Sequence, residues 1–587
     1  MMSRLFSKLP LVTLLGVGTG CPTPPTGPTK PAEPTSVSIQ VAPLMATLSL
    51  GEHLSFGATV TGPDSNVTWT VKEANGGQIG TNGAYTAPPM VGTYHVVVTS
   101  HADATKAAKA TVTVTDGTIT GVKAIRHLYK GAETAVPVDL SKAAIQALQP
   151  STTASTGYNT YPGMGTAAGT FSIPSVPPGP YLLTVDGVTF LRLSTRTVDL
   201  SEYDLGRANV KAADAGTTLN LAVTAMTPWS EFLDDLQVTS EGAGLGYGSL
   251  YLGDSNFSPD GGVTSVAYAL DYSALATFFG GGGLIDASQG DVTYVTHLAA
   301  QPMTPAMWSA VSIKEAFSST AYSLVNGGNA TLGGAFSPVT QSTFSATFPR
   351  SQYSALLGAV NPTAKESGGH IYLDAQPGGA AYGNFGATPD LLSVDFLPGN
   401  IDEAVSMGYR NPFPSAWPLF GDAEDIYRVQ YTVTSGTISG TKWVYAYNWT
   451  GDTLAGAPSA GLGPRITPST ELKINGNTAY TSPQSGVGTK PILSWKAPTT
   501  GTPTGYQVLV YELKYADTGV TRTTIYSVFG DAGFTSLTLP GGLLRVGGSY
   551  VALIRARAEP GTDFKTRPLG TSFPSSGADT LTGLFSP

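Results

Sequence analysis

The sequence predicts an all-β protein made of tandem β-sandwich modules, which follow a signal peptide and a Pro-rich tether. Gly 71 and Pro 43 among 587 residues, with only 12% charged residues, are typical of short strands joined by turns. Apolar and polar residues alternate along most of the chain, and sustained helical periodicity is almost absent. At about 150 residues per domain, the length predicts about four domains.

Residues 1–20 predict a secretory signal peptide. Arg4 and Lys8 precede an apolar segment at 9–17, and the small residues 18–20 follow it. This order of charge, apolar core and small-residue site is typical of exported proteins. The apolar segment is shorter than the about 20 residues that a membrane-spanning helix needs.

Cys21, the only cysteine in the chain, directly follows the small residues. Its position resembles the bacterial lipobox, although Gly18 stands where that motif usually has leucine. The resemblance implies cleavage before Cys21, lipid on its thiol and membrane anchoring in the bacterial cell envelope, at the outer membrane or cell surface. The alternative is a plain signal peptide with an incidental cysteine. Residues 21–35 contain six prolines, so a polyproline II tether is expected.

Apolar and polar residues alternate along residues 36–116 as they do in the strands of a β-sandwich. This segment resembles bacterial immunoglobulin-like domains, most specifically at 82–100. Trp69 matches the core tryptophan of that family, and Tyr94 precedes Val96, where disulfide-bonded relatives have a cysteine. With no cysteine here, apolar packing must replace the disulfide.

Residues 117–207 form the second predicted module. The stretch GTFSIPSVPPGPYLLTV at 169–185 resembles the carboxypeptidase-regulatory or transthyretin-like sandwich, in which a proline-glycine turn separates two strands. The segment DLSKAAIQALQP at 139–150 predicts a short helix that Asp139 or Ser141 caps and Pro150 ends.

Residues 208–449 predict a large central β-rich domain with glycine between its strand segments. One large sandwich, two small ones or propeller blades fit the pattern, and the lack of a clear repeat argues against a propeller.

Residues 450–587 resemble a fibronectin type III domain. Trp495, Tyr506, Leu537 and Tyr550 fall at the core positions of that family. Packing positions carry no chemistry, so the resemblance implies a spacer or binding module.

Sequence motifs of catalysis are absent: the chain has no GxSxG, HExxH or P-loop pattern. The net charge of −9, without a basic stripe, argues against nucleic-acid binding. His297 and His370, with Asp374, are the histidines considered for zinc, and exposed strand histidines are the preferred interpretation.

Asp254, Asn256 and Asp260 in DSNFSPDGG form the candidate metal site. Clustered oxygens on a turn suit Ca²⁺, but the segment lacks EF-hand spacing and its closing glutamate. An Asx-rich turn with no ion explains the same residues.

The segment YRNPFPSAWPLFGDAED at 409–425 provides the candidate ligand site. Its prolines predict a stiff surface loop rather than a central strand. Aromatic rings beside carboxylates suit sugar recognition, whereas packing of the rings at the end of a sandwich is the alternative. The candidate residues are Phe413, Trp417, Phe420, Asp422, Glu424 and Asp425.

The predicted function is a cell-envelope lipoprotein, without catalysis or a cofactor, that displays its modules for adhesion, ligand binding or surface scaffolding. Its expected partners are the membrane, through the lipid on Cys21, and a glycan or a surface protein. The alternative is an envelope-associated glycosidase or other hydrolase with its active site in the central domain; a third class is a calcium-stabilised structural protein. Glycoside hydrolysis needs two carboxylates that flank a bond. The available carboxylates, among which the sequence selects no pair, are Asp234, Asp235, Asp395, Asp402, Glu403, Asp422, Glu424 and Asp425.

Overall fold

The computed structural model describes residues 37–186, 189–231, 233–277, 282–382, 388–454, 461–480, 483–516 and 519–587. The signal peptide, Cys21 and the tether lie outside these residues. The chain divides into two compact units, Met1–Val114 and Thr115–Pro587. Strands dominate both units, which confirms the predicted all-β sandwich fold class.

The first unit contains three small sheets around one apolar core. Their strand orders are β1-β4, β2-β9-β8-β5 and β3-β7-β6. The strands are β1 (Ser38–Ala42), β2 (Met45–Ser49), β3 (His53–Ser55), β4 (Gly57–Thr61), β5 (Val67–Val71), β6 (Gln78–Ile79), β7 (Ala84–Thr86), β8 (Gly92–Ser100) and β9 (Ala107–Thr115). Val96 is fully buried and Trp69 packs against this core partly buried, so apolar contacts occupy the position of the missing disulfide.

The second unit begins with eleven short strands of the described chain. They are β10 (Ile119–Val122), β11 (Ala124–Tyr129), β12 (Ala132–Pro137), β13 (Ile145–Pro150), β14 (Tyr158–Pro162), β15 (Met164–Gly165), β16 (Thr170–Ile173), β17 (Tyr181–Val185), β18 (Thr189–Leu193), β19 (Thr197–Asp199) and β20 (Glu202–Leu205).

The predicted helix at 139–150 is wrong, because its second half is strand β13. Ile145 and Ala147 are buried, and β13 pairs with β14 on one side and β17 on the other. Asp139 accepts the Ser141 amide hydrogen in a turn at 2.8 Å, rather than capping a helix. Tertiary pairing here outweighs the local helical preference.

The middle of the second unit combines strands with short helices. The strands are β21 (Thr218–Thr224), β22 (Asp235–Thr239), β23 (Val266–Asp271), β24 (Thr293–Ala300), β25 (Met307–Ser319), β26 (Asn329–Ala335), β27 (Ser337–Pro338), β28 (Gln341–Phe348), β29 (Lys365–Ala375), β30 (Asp390–Phe396) and β31 (Glu403–Arg410). The helices are α1 (Leu250–Gly253), α2 (Tyr272–Thr277), α3 (Arg350–Ser354) and α4 (Leu357–Val360), with 3₁₀ turns at Glu241–Ala243, Ala287–Gln289 and Gly379–Ala381. No helix of the described chain has the length and apolar character to cross a membrane.

The last strands of the chain include its longest. They are β32 (Leu419–Ser435), β33 (Ile438–Thr453), β34 (Thr470–Ile474), β35 (Asn477–Thr478), β36 (Ile492–Lys496), β37 (Gly505–Ala516), β38 (Gly519–Asp531), β39 (Ser536–Thr538), β40 (Ser549–Ala558) and β41 (Ser575–Leu581). The four predicted fibronectin-type core residues are all at most 4% exposed and share one apolar cluster.

Within the described residues, one sheet of 16 strands runs through the second unit. Its order is β14-β13-β17-β18-β38-β37-β40-β41-β33-β32-β29-β30-β25-β24-β22, and β27 pairs with β25. Strands from all three predicted modules after residue 116 take part. The predicted boundary between 449 and 450 falls inside β33, whose backbone pairs with β41.

Candidate functional site

Three neighbouring strands of the large sheet, β29, β32 and β33, have one apolar and one polar face. On β29, Ile371, Leu373 and Ala375 are fully buried in an apolar core. His370, Tyr372 and Asp374 alternate with them, and successive side chains of a strand point to opposite faces. The apolar residues therefore fix the polar ones on the other side of the sheet.

The strand register continues this polar face across β32 and β33. Tyr372 pairs with Asp422, and His370 pairs with Glu424. Glu424 in turn pairs with Trp449 on β33. Residues paired across antiparallel strands lie on the same face, so acidic and aromatic groups from three strands meet there.

A cavity of 480 Å³ opens over this face. We call it the acid–aromatic cavity. Its lining residues are Tyr247, Leu252, Tyr372, Asp374, Asp390, Asp422, Glu424, Tyr447, Trp449 and Arg555. Its volume lies in the range of about 300–1,000 Å³ that is usual for small-molecule sites.

The indole of Trp449 lies directly against the backbone of Gly577. A Cβ atom on Gly577 would lie 1.9 Å from the Trp449 ring, so only glycine leaves room for the indole. The guanidinium of Arg555 is 5.0 Å from the centre of the same ring. Arg555 is held in place by Asp579, to which it donates two hydrogen bonds of 2.7 and 2.9 Å.

Asp374 and Asp390 oppose each other across β29 and β30. Asp374 is only 6% exposed; its Oδ2 accepts a hydrogen bond from the Thr388 hydroxyl at 3.2 Å, and its Oδ1 has no hydrogen-bond partner among the described residues. Asp390 accepts a hydrogen bond from the Gln237 amide at 3.3 Å. The buried oxygen of Asp374 is therefore available to a donor inside the cavity.

Burial raises the pKa of each cavity carboxyl group. The pKa of Glu424 rises to about 7, because burial outweighs the favourable charges of His370 and Arg555. Burial and then the nearby Asp390 and Asp422 raise the pKa of Asp374 well above its usual value. Burial likewise raises the pKa of Asp390 and Asp422. At neutral pH the cavity therefore holds protons on part of its carboxyl groups.

Chemically, the cavity offers two kinds of contact. The rings of Tyr372, Tyr447 and Trp449 present flat apolar area, and the buried indole Nε1 of Trp449 has no hydrogen-bond partner in the part of the chain that the structure describes. Carboxyl groups accept hydrogen bonds when ionised and donate one when protonated. The arrangement suits a ligand with both hydroxyl groups and apolar ring faces.

The three predicted aromatic ligand residues are buried. Phe413 and Trp417 are each 6% exposed; their rings stack on each other at 5.1 Å, and Tyr294 meets them edge-on at 5.2 and 5.8 Å. Phe420 is 3% exposed and packs at 4.4 Å against Phe573. Packing, the alternative that the sequence left open, accounts for these contacts. The binding role of the three rings remains a prediction.

The predicted surface loop at 409–425 is wrong for its second half. The loop covers only 411–418, and β32 begins at Leu419, directly after Pro418, and pairs on both sides. Asp422 and Glu424 line the acid–aromatic cavity, whereas Asp425 points to the opposite face and is fully buried. The three acidic residues predicted to bind a ligand therefore lie on both faces of β32, and only Asp422 and Glu424 face the cavity.

The candidate calcium residues form a surface turn. Asp254 accepts hydrogen bonds from the Asn256 backbone and side chain at 2.9 and 3.1 Å, and from the Tyr268 hydroxyl at 2.9 Å. Asp260 is exposed. Nowhere in the described part of the chain do three or more His, Cys, Asp or Glu side chains form a group that could hold a metal ion.

The two histidines considered for zinc have separate carboxylate partners. His297 is fully buried, which contradicts the expected exposure, and its ring nitrogens lie 2.9 Å from Glu315 and 3.1 Å from Asp234. His370 bonds Asp395; burial lowers the pKa of the imidazole, but this bond and the charges of Asp395 and Glu424 together outweigh burial and raise it.

A second cavity of 560 Å³ lies beside the 411–418 loop. Trp417 contributes to its wall together with Tyr129, Lys130 and Glu241. The Lys130 backbone N–H donates to Glu241 at 2.8 Å, and the ammonium of Lys130 lies over the Tyr129 ring. These groups are thus satisfied by one another, and glycine backbone forms much of the remaining wall.

Sequence reasoning missed most of the cavity residues. Tyr372 and Asp374 alternate with apolar residues in GGHIYLDA, and Tyr447 and Trp449 do so in KWVYAYNW. Polar and aromatic residues on one face of otherwise buried strands were the available signal. The sequence does not show that these strands are neighbours in the sheet.

No family model matches the chain, and no curated protein matches it. Solved structures that overlap with it include the N-terminal four Ig domains of Dscam1 isoform 4.4 (9% identity, TM-score 0.12, 70% of this chain and 99% of that one). Others are the chicken CNTN1 FN1-FN3 domains (9% identity, TM-score 0.12, 78% and 96%) and Bacteroides ovatus mixed-linkage glucan utilization locus SGBP-B in complex with mixed-linkage heptasaccharide (11% identity, TM-score 0.12, 63% and 92%). Overlaps with such low scores carry no argument about function.

Proposed function

We propose that this chain is a carbohydrate-binding protein of the bacterial cell envelope and that the acid–aromatic cavity holds its ligand. The observation that carries the proposal is the wall of that cavity, where flat rings stand beside buried carboxyl groups. Aromatic rings pack against the apolar face of a pyranose, and carboxylates accept hydrogen bonds from its hydroxyl groups. A short segment of a glycan satisfies both kinds of contact at once.

Other ligand classes fit the cavity less well. The carboxyl groups repel phosphate and other anions, and Arg555 is already paired with Asp579. A wholly apolar ligand would leave buried carboxyl groups without hydrogen-bond donors, which is costly. A neutral or cationic ligand with many hydroxyl groups avoids both the repulsion from the carboxyl groups and the loss of their hydrogen-bond donors.

The proposal places this binding protein at the membrane through lipid on Cys21. The support for that part is the lone cysteine behind a signal-like segment, followed by a proline tether. A lipid anchor with a stiff tether would hold the folded units clear of the bilayer, where they meet extracellular glycans.

A glycan array probed with the full-length protein tests the binding function, with Trp449→Ala as the site variant. Trp443→Ala is the matched control, because Trp443 is also on β33 but lies outside the cavity wall. We expect Trp449→Ala to abolish glycan binding and Trp443→Ala to preserve it. Equal binding by both variants, or no binding by the unaltered protein, would overturn the proposal.

Glycoside hydrolysis is the second candidate function, and one observation favours it. Asp374 and Asp390 are paired across two strands, and the raised pKa of buried carboxyl groups suits a general acid near neutral pH. Release of reducing ends from any bound glycan tests it. Hydrolysis that disappears in Asp374→Asn would establish catalysis, whereas binding without release would restrict the protein to recognition.

A further inference from the structure

The acid–aromatic cavity is rich in carboxyl groups. Four carboxyl groups line it, from Asp374, Asp390, Asp422 and Glu424. Among the described lining residues Arg555 is the only cation, and Asp579 neutralises that guanidinium. The described residues therefore supply no free positive charge to balance these acids as they ionise.

Three of the acids lie on consecutive strands, β30, β29 and β32. Asp374 is directly opposite Asp390, and it lies diagonally from Asp422, because its own partner on β32 is Phe420. Diagonal neighbours are still within reach of one another across a sheet. Asp374 and Asp422 are 6% and 8% exposed, so this cluster is largely withdrawn from water.

Few hydrogen-bond donors of the described residues reach this cluster. Within the described chain, Asp374 receives one hydrogen bond, from Thr388, and its other oxygen is buried and unpartnered. Gln237 donates to Asp390 but leaves its own buried Oε1 without a partner. An ammonium group brings three N–H donors and a compensating charge, and charge-assisted bonds are roughly twice as strong as neutral ones.

Resting on the carbohydrate-binding function above, we propose that the ligand is an amino sugar with a free ammonium group. The ammonium lies among Asp374, Asp390 and Asp422, and a sugar ring packs against Trp449. Trp449 lies two strands away from Asp374 and, in the strand register, four residues further along, so the two backbone positions are about 17 Å apart at about 4.8 Å per strand and about 3.4 Å per residue. An amino-sugar oligomer bridges that distance.

The charged and titratable groups near this ammonium determine how many protons are released when it binds. They are Asp235, Tyr247, His370, Tyr372, Asp374, Asp390, Asp395, Asp422, Glu424, Tyr447, Arg555 and Asp579. A bound cation favours the ionised form of the neighbouring carboxyl groups. Binding should therefore release protons to the buffer.

The test is calorimetric titration of the full-length protein with three β-1,4-linked tetrasaccharides, of glucosamine, N-acetylglucosamine and glucose. Because only the first carries ammonium groups, we expect it to bind about tenfold or more tightly than the other two. Titration in two buffers of different ionisation enthalpy should report proton release for the glucosamine tetramer alone.

Asp374→Asn removes one charge while keeping the shape of the side chain, and Asp260→Asn is the control at an exposed aspartate. We expect Asp374→Asn to remove most of the preference for the glucosamine tetramer, and Asp260→Asn to leave it intact. Equal or tighter binding of the neutral tetramers would overturn the amino-sugar inference and leave carbohydrate binding in place. Failure of the protein to bind any glycan, on the array as well as in titration, would overturn both.

Discussion

The Trp449 indole covers the Cα of Gly577 on the neighbouring strand so closely that a Cβ there would lie 1.9 Å from the ring. The absent side chain makes room for the ring that forms part of the cavity wall. Glu424 pairs with Trp449 on the other side, so the indole lies between an acid and a glycine. This relationship gives the cavity a fixed flat surface.

Gly577→Ala should displace the Trp449 ring and weaken glycan binding. Overpacking of this kind costs about 1 to 3 kcal/mol of stability. Gly358→Ala is the matched control, because a Cβ at Gly358 would meet no atom within 4 Å. Thermal melts and titrations of both variants measure the two effects. In a protein that already carries Trp449→Ala, adding Gly577→Ala should lower stability and glycan binding little further. If Gly577→Ala has its full effect there as well, the two residues act independently.

The stability of the second unit should fall as the pH rises from about 5 to about 8. Burial raises the pKa of Glu424 to about 7 and that of Asp425 to about 8, whereas unfolded carboxyl groups titrate near about 4. As the pH rises, the unfolded state therefore loses these protons before the folded state does. The contribution of these groups to stability is complete below about pH 4 and is lost as the pH rises through their pKa values in the folded state. Melting temperatures across this interval measure it. Glu424→Gln should flatten the decline and Asp260→Asn should not; a melting temperature that rises with pH would contradict this explanation.

Removal of the buried imidazole of His297 should strongly destabilise the second unit. His297→Ala leaves the buried carboxyl groups of Asp234 and Glu315 without their shared hydrogen-bond partner, and each buried polar group left unsatisfied costs about 1 to 3 kcal/mol. Urea denaturation measures the loss. His101→Ala, at an exposed histidine, should change the midpoint little. An equal effect of both substitutions would show that the network contributes no stability.

Residues 36–116 should fold alone, whereas residues 462–587 should not. The first fragment contains all strands of its own sheets. The second loses the pairing of β41 with β33 and of β38 with β18, and leaves two sheet edges unpaired. Calorimetry of each fragment measures cooperative unfolding. A cooperative melt of 462–587 would show that the sheet contacts across the predicted module boundaries are not needed.

Cys21→Ser should release the protein from membranes. The lipid would be attached to the thiol that this substitution removes, so labelling by a fatty-acid probe should also disappear. Membrane fractionation and probe labelling measure the two effects. Unchanged labelling would rule out lipidation at Cys21.

Local sequence patterns predicted the strands better than the site. Alternation identifies β8 and β37 directly, and the family resemblance placed Trp495 and Tyr506 in a core where both are buried. The helix predicted at 139–150 failed because pairing with β14 and β17 overrides local preference.

The cavity depends on relationships that a single sequence does not contain. Asp422 and Glu424 were among the candidate carboxylates, but nothing in the sequence separated them from the rest. Their partners Tyr372 and Trp449 are far away along the chain and become neighbours only through the register of β29, β32 and β33. The three prolines before β32 favoured a loop over the whole segment, yet the last of them only marks where the strand begins.

The most direct measurement of the central claim is a crystal structure of the protein with the oligosaccharide that gives the strongest array signal. The account predicts one sugar ring stacked on Trp449 and other polar groups of the same oligosaccharide within hydrogen-bond distance of Asp374 and Glu424. A saturated complex with its sugar elsewhere on the chain, and with the acid–aromatic cavity empty, would contradict it.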